Sequence, residues 1–167
     1  MTGPFTEPTT GYWQDLLPAG TPVAGPPYRL GYPARLPCGR ALVLPLRVLP
    51  DGHHAVASFI ANHASFAVLD AIVSAMTRLA GDVGGELVVG MPTLGLTLAP
   101  LVAQRLGHAR YVPLGYSRKF WYAEQLSTPV RSITSPDGAK RVYLDPNLRQ
   151  RIEGRRVILV DDAVSSG

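Results

Sequence analysis

The sequence predicts an α/β fold in which a parallel sheet, covered on both faces, follows an extended N-terminal segment with short strands. Three observations predict it. Beyond Gly81, short apolar runs alternate with helical stretches, as buried parallel strands and their crossover helices do. Before Gly81 lies a stretch with helical apolar periodicity, and residues 1–37 are rich in proline and glycine. At 167 residues, 46% hydrophobic and 17% charged, the chain has the size and composition of one domain with a real core. We divide it into an N-terminal segment, 1–53, and an α/β core, 54–167.

Pro18, Pro22, Gly25, Pro26, Pro27, Gly31, Pro33 and Pro37 favour an extended, turn-filled path that wraps the core. Ala41 to Val48 reads as a strand and Pro50, Asp51 and Gly52 as a turn, with two antiparallel strands flanking Cys38 to Arg40. From His54 to Leu79 the spacing predicts a helix, with Phe66, Leu69, Ile72, Val73, Met76 and Leu79 on its apolar face. His53, His54 and His63 at its start do not supply the ligand set of a metal site. Leu87 to Val89 is a strand, Leu96 to Leu106 a helix, and Tyr111 to Leu114 a strand. Pro100 requires the helix to begin near it, because only a first-turn residue has no intrahelical N–H bond to lose. The stretch from Gly115 to Arg156 is long enough to be a functional lid or to carry its own structure. Within it, Arg141 to Leu144 reads as a short strand and Pro146 to Glu153 as a short helix closed by Gly154. Val157 to Val160 is the last strand.

Composition narrows the function classes. The lone Cys38 makes neither an intrachain disulfide nor a cysteine metal cluster. Met1 to Gly20 has no basic start and no apolar run, and the helical stretch is interrupted by His63, Asp70 and Arg78, so the expectation is a cytoplasmic protein without a signal peptide or membrane span. The formal charge is +4, but no lysine block or aromatic-basic repeat builds a nucleic-acid face. Basic residues gather instead between Arg118 and Arg156, an excess suited to a small polyphosphate.

The chemistry concentrates in Val157 to Gly167. Four apolar residues make a buried strand, and the chain emerges at its carboxyl end, where open α/β sheets hold their ligands. Asp161 and Asp162 follow at once. Adjacent carboxylates there need hydroxyls, a cation or solvent; a ribose offers two neighbouring hydroxyls, and Mg²⁺ binds carboxylate directly or through water. The small residues after them let backbone N–H groups and the Ser165 and Ser166 hydroxyls approach an anion. The Mg²⁺-binding strand of nucleotide triphosphatases also ends in two acids, but the phosphate loop that must precede it is missing from the sequence. Receiver domains carry such a pair on their first strand, and here it closes the last.

This segment resembles the phosphoribosyl pyrophosphate (PRPP) motif of the type I phosphoribosyltransferases, with purine-type members the most similar. The resemblance implies that Asp161 and Asp162 bind the ribose hydroxyls and a Mg²⁺ ion, in part through water, and that Ala163, Val164, Ser165, Ser166 and Gly167 begin the 5′-phosphate cradle. Leu87 to Leu96 resembles the family's pyrophosphate loop: Gly90 and Gly95 frame a cramped turn through Met91, Pro92, Thr93 and Leu94, with amides aimed at an anion. Tyr111 to Lys119 resembles the strand that leads to a basic pair and a mobile lid, which gives Arg118 and Lys119 a pyrophosphate-neutralising role, with Lys140 and Arg141 as additions. Phe120, Trp121 and Tyr122 read as hydrophobic anchors of that lid, with stacking on a base as the other reading. Where adenine-type lids carry Ser-Leu-Glu-Tyr, this chain has Ser132, Ile133, Thr134 and Ser135.

The resemblance covers Glu86 to Gly167 and implies a Rossmann-like sheet of the type I phosphoribosyltransferase kind, incomplete at its C-terminus. It implies a Mg²⁺-dependent transferase that passes ribose 5-phosphate from PRPP to a nitrogenous base, a purine, and releases pyrophosphate, as in purine salvage. The other reading is a PRPP- or nucleotide-sensing protein without turnover. The partners implied are PRPP and a nucleobase, with no nucleic acid and no membrane; a homodimer is left open.

Overall fold

The computed structural model describes residues 11–23, 25–132 and 135–164, with backbone only for 131–132 and 135–139. The chain divides into two compact units, residues 1–75 and 76–167.

The first unit is built on an antiparallel sheet of β1 (Gly31–Arg35), β2 (Ala41–Val48) and β3 (Ala55–Ala57), in the order β1-β2-β3. The two strands expected around Cys38 to Arg40 are present, paired from Gly31 opposite Pro45 to Arg35 opposite Ala41. Of the Pro/Gly-rich lead-in, two residues enter the core of this unit. Trp13 and Leu16 are buried with Leu42 and Val68, and the Trp13 indole donates to the Ser58 carbonyl at 3.0 Å.

The helix expected from His54 instead begins at Phe66. Ala55–Ala57 pairs with β2, Ala61–His63 forms a 3-10 turn, and α1 runs over Phe66–Val83. Ser65 sets the start: its hydroxyl accepts from the Val68 N–H at 3.2 Å, satisfying one of the donors that a first turn leaves unpaired. The face expected to be buried is so at Leu69 and Val73 and partly at Ile72 and Met76, but not at its two ends. Val68, Leu69, Val73 and Ala80 are buried, whereas Phe66 is 90% and Leu79 63% exposed. Asp70, Ser74 and Arg78 lie on the exposed side as the spacing requires, and the inward stripe is centred so that it takes in Val68 and Ala80 and leaves out Phe66 and Leu79.

The second unit carries a parallel sheet of β4 (Leu87–Gly90), β5 (Val112–Pro113) and β8 (Val157–Val160), in the order β5-β4-β8. The α/β expectation holds. All of β4 is buried, Leu87 and Val89 packing with Val112, Leu114, Leu144, Leu148 and Ile152. Helix α2 (Gly95–Arg105) lies close enough that a Cβ on Gly90 would meet that of Ala99 at 2.8 Å. Cover is not complete on β8, where Leu159 is 60% exposed. Pro100 falls in the second turn of α2, not the first as expected. The lost N–H bond is tolerated because Leu98, Ala99, Val102 and Ala103 around it are buried.

The long stretch after β5 contains a hairpin that the sequence showed only in part. β6 (Ser127–Ser132) pairs antiparallel with β7 (Ser135–Tyr143), with an irregularity between Val130 and Ser132. Pro129, Pro136 and Gly138 argue against strand, and this concealed most of it. The turn Pro146–Leu148 and the single-turn α3 (Arg149–Ile152) occupy the expected short helix, and Gly154 follows at φ 74°. Among the described residues no helix is long and apolar enough to cross a membrane.

Trp13→Ala removes the largest side chain of the first core and the donor to Ser58. We expect unfolding in urea to show a loss of about 3–5 kcal/mol; a loss below about 1 kcal/mol would refute the assigned core role.

Candidate active site

Two turns meet at the carboxyl end of the parallel sheet. The first leaves β4 through Met91 to Leu94 and enters α2 at Gly95; the second leaves β8 through Asp161 and Asp162. The Met91 N–H donates to the Val160 carbonyl at 2.9 Å. A Cβ on Gly95 would stand 2.6 Å from that same carbonyl oxygen and 3.0 Å from the Asp161 carboxylate. Only glycine permits this approach, so Gly95 belongs to the site through packing as well as through its amide. Leu94, ahead of α2, makes no side-chain cap, and the Pro92–Thr93 peptide bond is cis.

Asp161 and Asp162 are both half-buried. The Asp162 N–H donates to the Asp161 carboxylate at 2.9 Å. Burial, then the hydrogen bond with Asp161 and its charge, push the Asp162 carboxyl from 3.8 up to about 6. Among the described residues neither carboxylate forms an ion pair with a lysine or arginine, and no cluster of three or more His, Cys, Asp or Glu side chains is present. Two adjacent half-buried carboxylates are hard oxygen donors of the kind Mg²⁺ takes, one or two from protein with water and substrate phosphate completing its shell. A cation here would offset the charge that burial penalises.

The other expected residues fall in two groups. Gly95 abuts Asp161 and Met91 is bonded to the Val160 carbonyl before it, with Pro92, Thr93 and Leu94 in the turn between them. Arg118 and Lys119 are exposed, and Arg118 Nη1 pairs with Glu124 Oε2 at 3.2 Å. Arg141 is joined to the other oxygen of Glu124 and to the Ser127 hydroxyl, at 3.2 and 2.8 Å. Ala163 and Val164 are exposed, while Ser165, Ser166 and Gly167 lie outside the described residues, as do Ile133 and Thr134 of the expected lid.

Sequence reasoning missed Tyr116. Burial, then the charges of Asp161 and Asp162, raise the pKa of its hydroxyl, and Lys140 Nζ sits 5.5 Å from its ring centroid. The signal was available: Tyr116 closely follows a parallel strand on the side where ligands bind. The aromatic run expected as an anchor divides in two. Phe120 is 97% exposed, whereas Trp121 donates to Asp145 at 3.2 Å and Tyr122 packs near Tyr143.

A family model described as a phosphoribosyl transferase domain matches residues 62–167. The chain belongs to that family. No match is found among curated proteins. The matched range holds the whole parallel sheet, both turns at its carboxyl end and the hairpin, so phosphoribosyl transfer is the general chemistry of this domain.

Two measurements test the site in this transferase domain. Because the folded-state pKa of Asp162 lies above its ordinary value, the folded protein binds more protons than the unfolded chain between pH 3.8 and about 6. The resulting stabilisation is full below pH 3.8 and is lost as pH rises through about 6. Solvent reaches the half-buried carboxyl, which holds the effect to about 1 kcal/mol. Thermal unfolding at pH 8 should thus find Asp162→Asn at least as stable as wild type, and a clear destabilisation would contradict the burial cause. Gly95→Val must push the 91–95 turn from β8, and calorimetric titration with PRPP should show at least about a tenfold loss of affinity; undiminished binding would exclude the close approach as a site requirement.

Proposed function

We propose that the protein transfers ribose 5-phosphate from PRPP to a nitrogenous base of the purine class, with Mg²⁺, in the cytoplasm and in purine salvage. The observation that carries this reading is the half-buried Asp161–Asp162 pair at the end of β8, in contact with the 91–95 turn inside a matched transferase domain. The catalytic core in this reading is residues 54–167.

In the reaction the bond from the ribose anomeric carbon to pyrophosphate breaks, its electron pair leaving with pyrophosphate, and a bond forms from that carbon to a ring nitrogen of the base. The nitrogen gives up its proton to water. Asp161 and Asp162 hold the ribose hydroxyls, which are donors that a carboxylate accepts strongly. Backbone amides of Met91 to Gly95, with Arg118 and Lys119, take the pyrophosphate oxygens, and residues 163–167 take the 5′-phosphate. Mg²⁺ held at the aspartates supplies charge neutralisation of the leaving group when bound. The anomeric carbon gains positive charge as the bond breaks, so nearby carboxylates and exclusion of water both favour the transition state.

The double variant Asp161→Asn, Asp162→Asn should bind PRPP about 10- to 100-fold more weakly in calorimetry; unchanged binding would remove the carboxylates from the site. A pyrophosphate-release assay with PRPP, Mg²⁺ and adenine, guanine, hypoxanthine or xanthine tests turnover. Release with one of these bases supports the transferase reading, and tight PRPP binding without release from any of them would turn the assignment toward a sensor.

A further inference from the structure

Glu124 sits between two arginines. Its Oε2 meets Arg118 Nη1 and its Oε1 meets Arg141 Nε, each at 3.2 Å. The three side chains come from different places: Arg118 from the segment after β5, Glu124 from the 3-10 turn Glu124–Leu126, and Arg141 from β7. Backbone pairing brings these places together. Gly115 and Tyr143 exchange hydrogen bonds at 3.1 and 2.8 Å, and the Leu144 N–H donates to the Leu126 carbonyl at 2.9 Å. Lys119 and Lys140, the chain neighbours of the two arginines, are exposed. One carboxylate thus joins two arginines, while Lys140 Nζ lies instead over the Tyr116 ring.

The two arginines are held unequally. Arg141 also donates to the Ser127 hydroxyl at 2.8 Å and to the Ser127 carbonyl at 3.3 Å, and 37% of its side chain is exposed. Arg118 is 56% exposed, and among the described residues Glu124 is its one partner. Its remaining guanidinium donors are therefore available to an anion, and its one bond is of the weak, solvent-screened kind. A phosphate oxygen carries more charge than a carboxylate oxygen and accepts the same fork of donors. Glu124 can keep Arg141 while Arg118 turns to such a ligand.

We propose that Glu124 is a positioning residue that acts through Arg118: its carboxylate occupies the guanidinium in place of a phosphate oxygen, and a pyrophosphate group must displace it to bind. This inference rests on the reading of Arg118 as a pyrophosphate ligand. It makes Glu124 a determinant of specificity, because a weakly charged ligand does not compete with the resident carboxylate, whereas a pyrophosphate group does.

Glu124→Gln keeps the shape and removes the competing charge. Titration with inorganic pyrophosphate and Mg²⁺ should show binding about two- to fivefold tighter than wild type at low salt, with the gain reduced at high salt. In an Arg118→Gln background the same change should have little effect, because the competition acts through that guanidinium. Unchanged or weaker binding in Glu124→Gln, with thermal unfolding like wild type, would overturn the proposal while leaving the transferase reading intact. A gain of equal size in the Arg118→Gln background would overturn it as well. Absence of pyrophosphate and PRPP binding in the wild-type protein would overturn both readings together.

Discussion

The candidate site depends on one close approach of backbone to backbone. Gly95 opens α2 against the last carbonyl of β8, with no room for a Cβ between them. That contact, with the Met91 N–H bond to the same carbonyl, fixes the 91–95 turn beside Asp161. Parallel pairing of β4 with β8 makes it possible, because both strands must end at the same level for their turns to meet; Gly90 lies opposite Val160. Loop amides and carboxylates far apart in the sequence thereby reach one place.

Charge is distributed around this point in two different ways. Asp161 and Asp162 carry like charge side by side, half-buried, without a cationic partner among the described residues, and Asp162 is held to its proton up to about pH 6. Such a pair costs folding energy that a ligand or cation can recover. On the hairpin side the arrangement is the reverse, with Arg118 and Arg141 sharing the carboxylate of Glu124 and Lys119 and Lys140 exposed beside them in the chain. A ligand with hydroxyls at one end and phosphates at the other would satisfy both.

The hairpin of β6 and β7 links these halves. It is anchored at its base by Gly115, Tyr143 and Leu144 through backbone bonds, and by Trp121 and Tyr122 through Asp145 and Tyr143. Phe120 stands in solvent beside the basic pair, with its ring edge-to-face against Trp121 at 4.9 Å between centroids.

The sequence by itself determined the elements whose chemistry is local. The apolar runs of β4 and β8, the turn glycines and the carboxylate pair are strings of neighbouring residues, so the α/β class and the outline of the site were legible there. So was the strand pair around Cys38, because its turn residues are adjacent. The tertiary structure decided what depends on partners distant in the chain. The helix expected from His54 begins at Phe66, and Val68 rather than Phe66 turns inward on α1, packed with Trp13, Leu16 and Leu42. Strand formation in β6 and β7 overrides their prolines through mutual pairing. Tyr116 was marked in the sequence only by its place just after a strand, and Glu124 between the arginines carries no signature of its own, since a lone glutamate acquires meaning only from the charges that folding brings next to it.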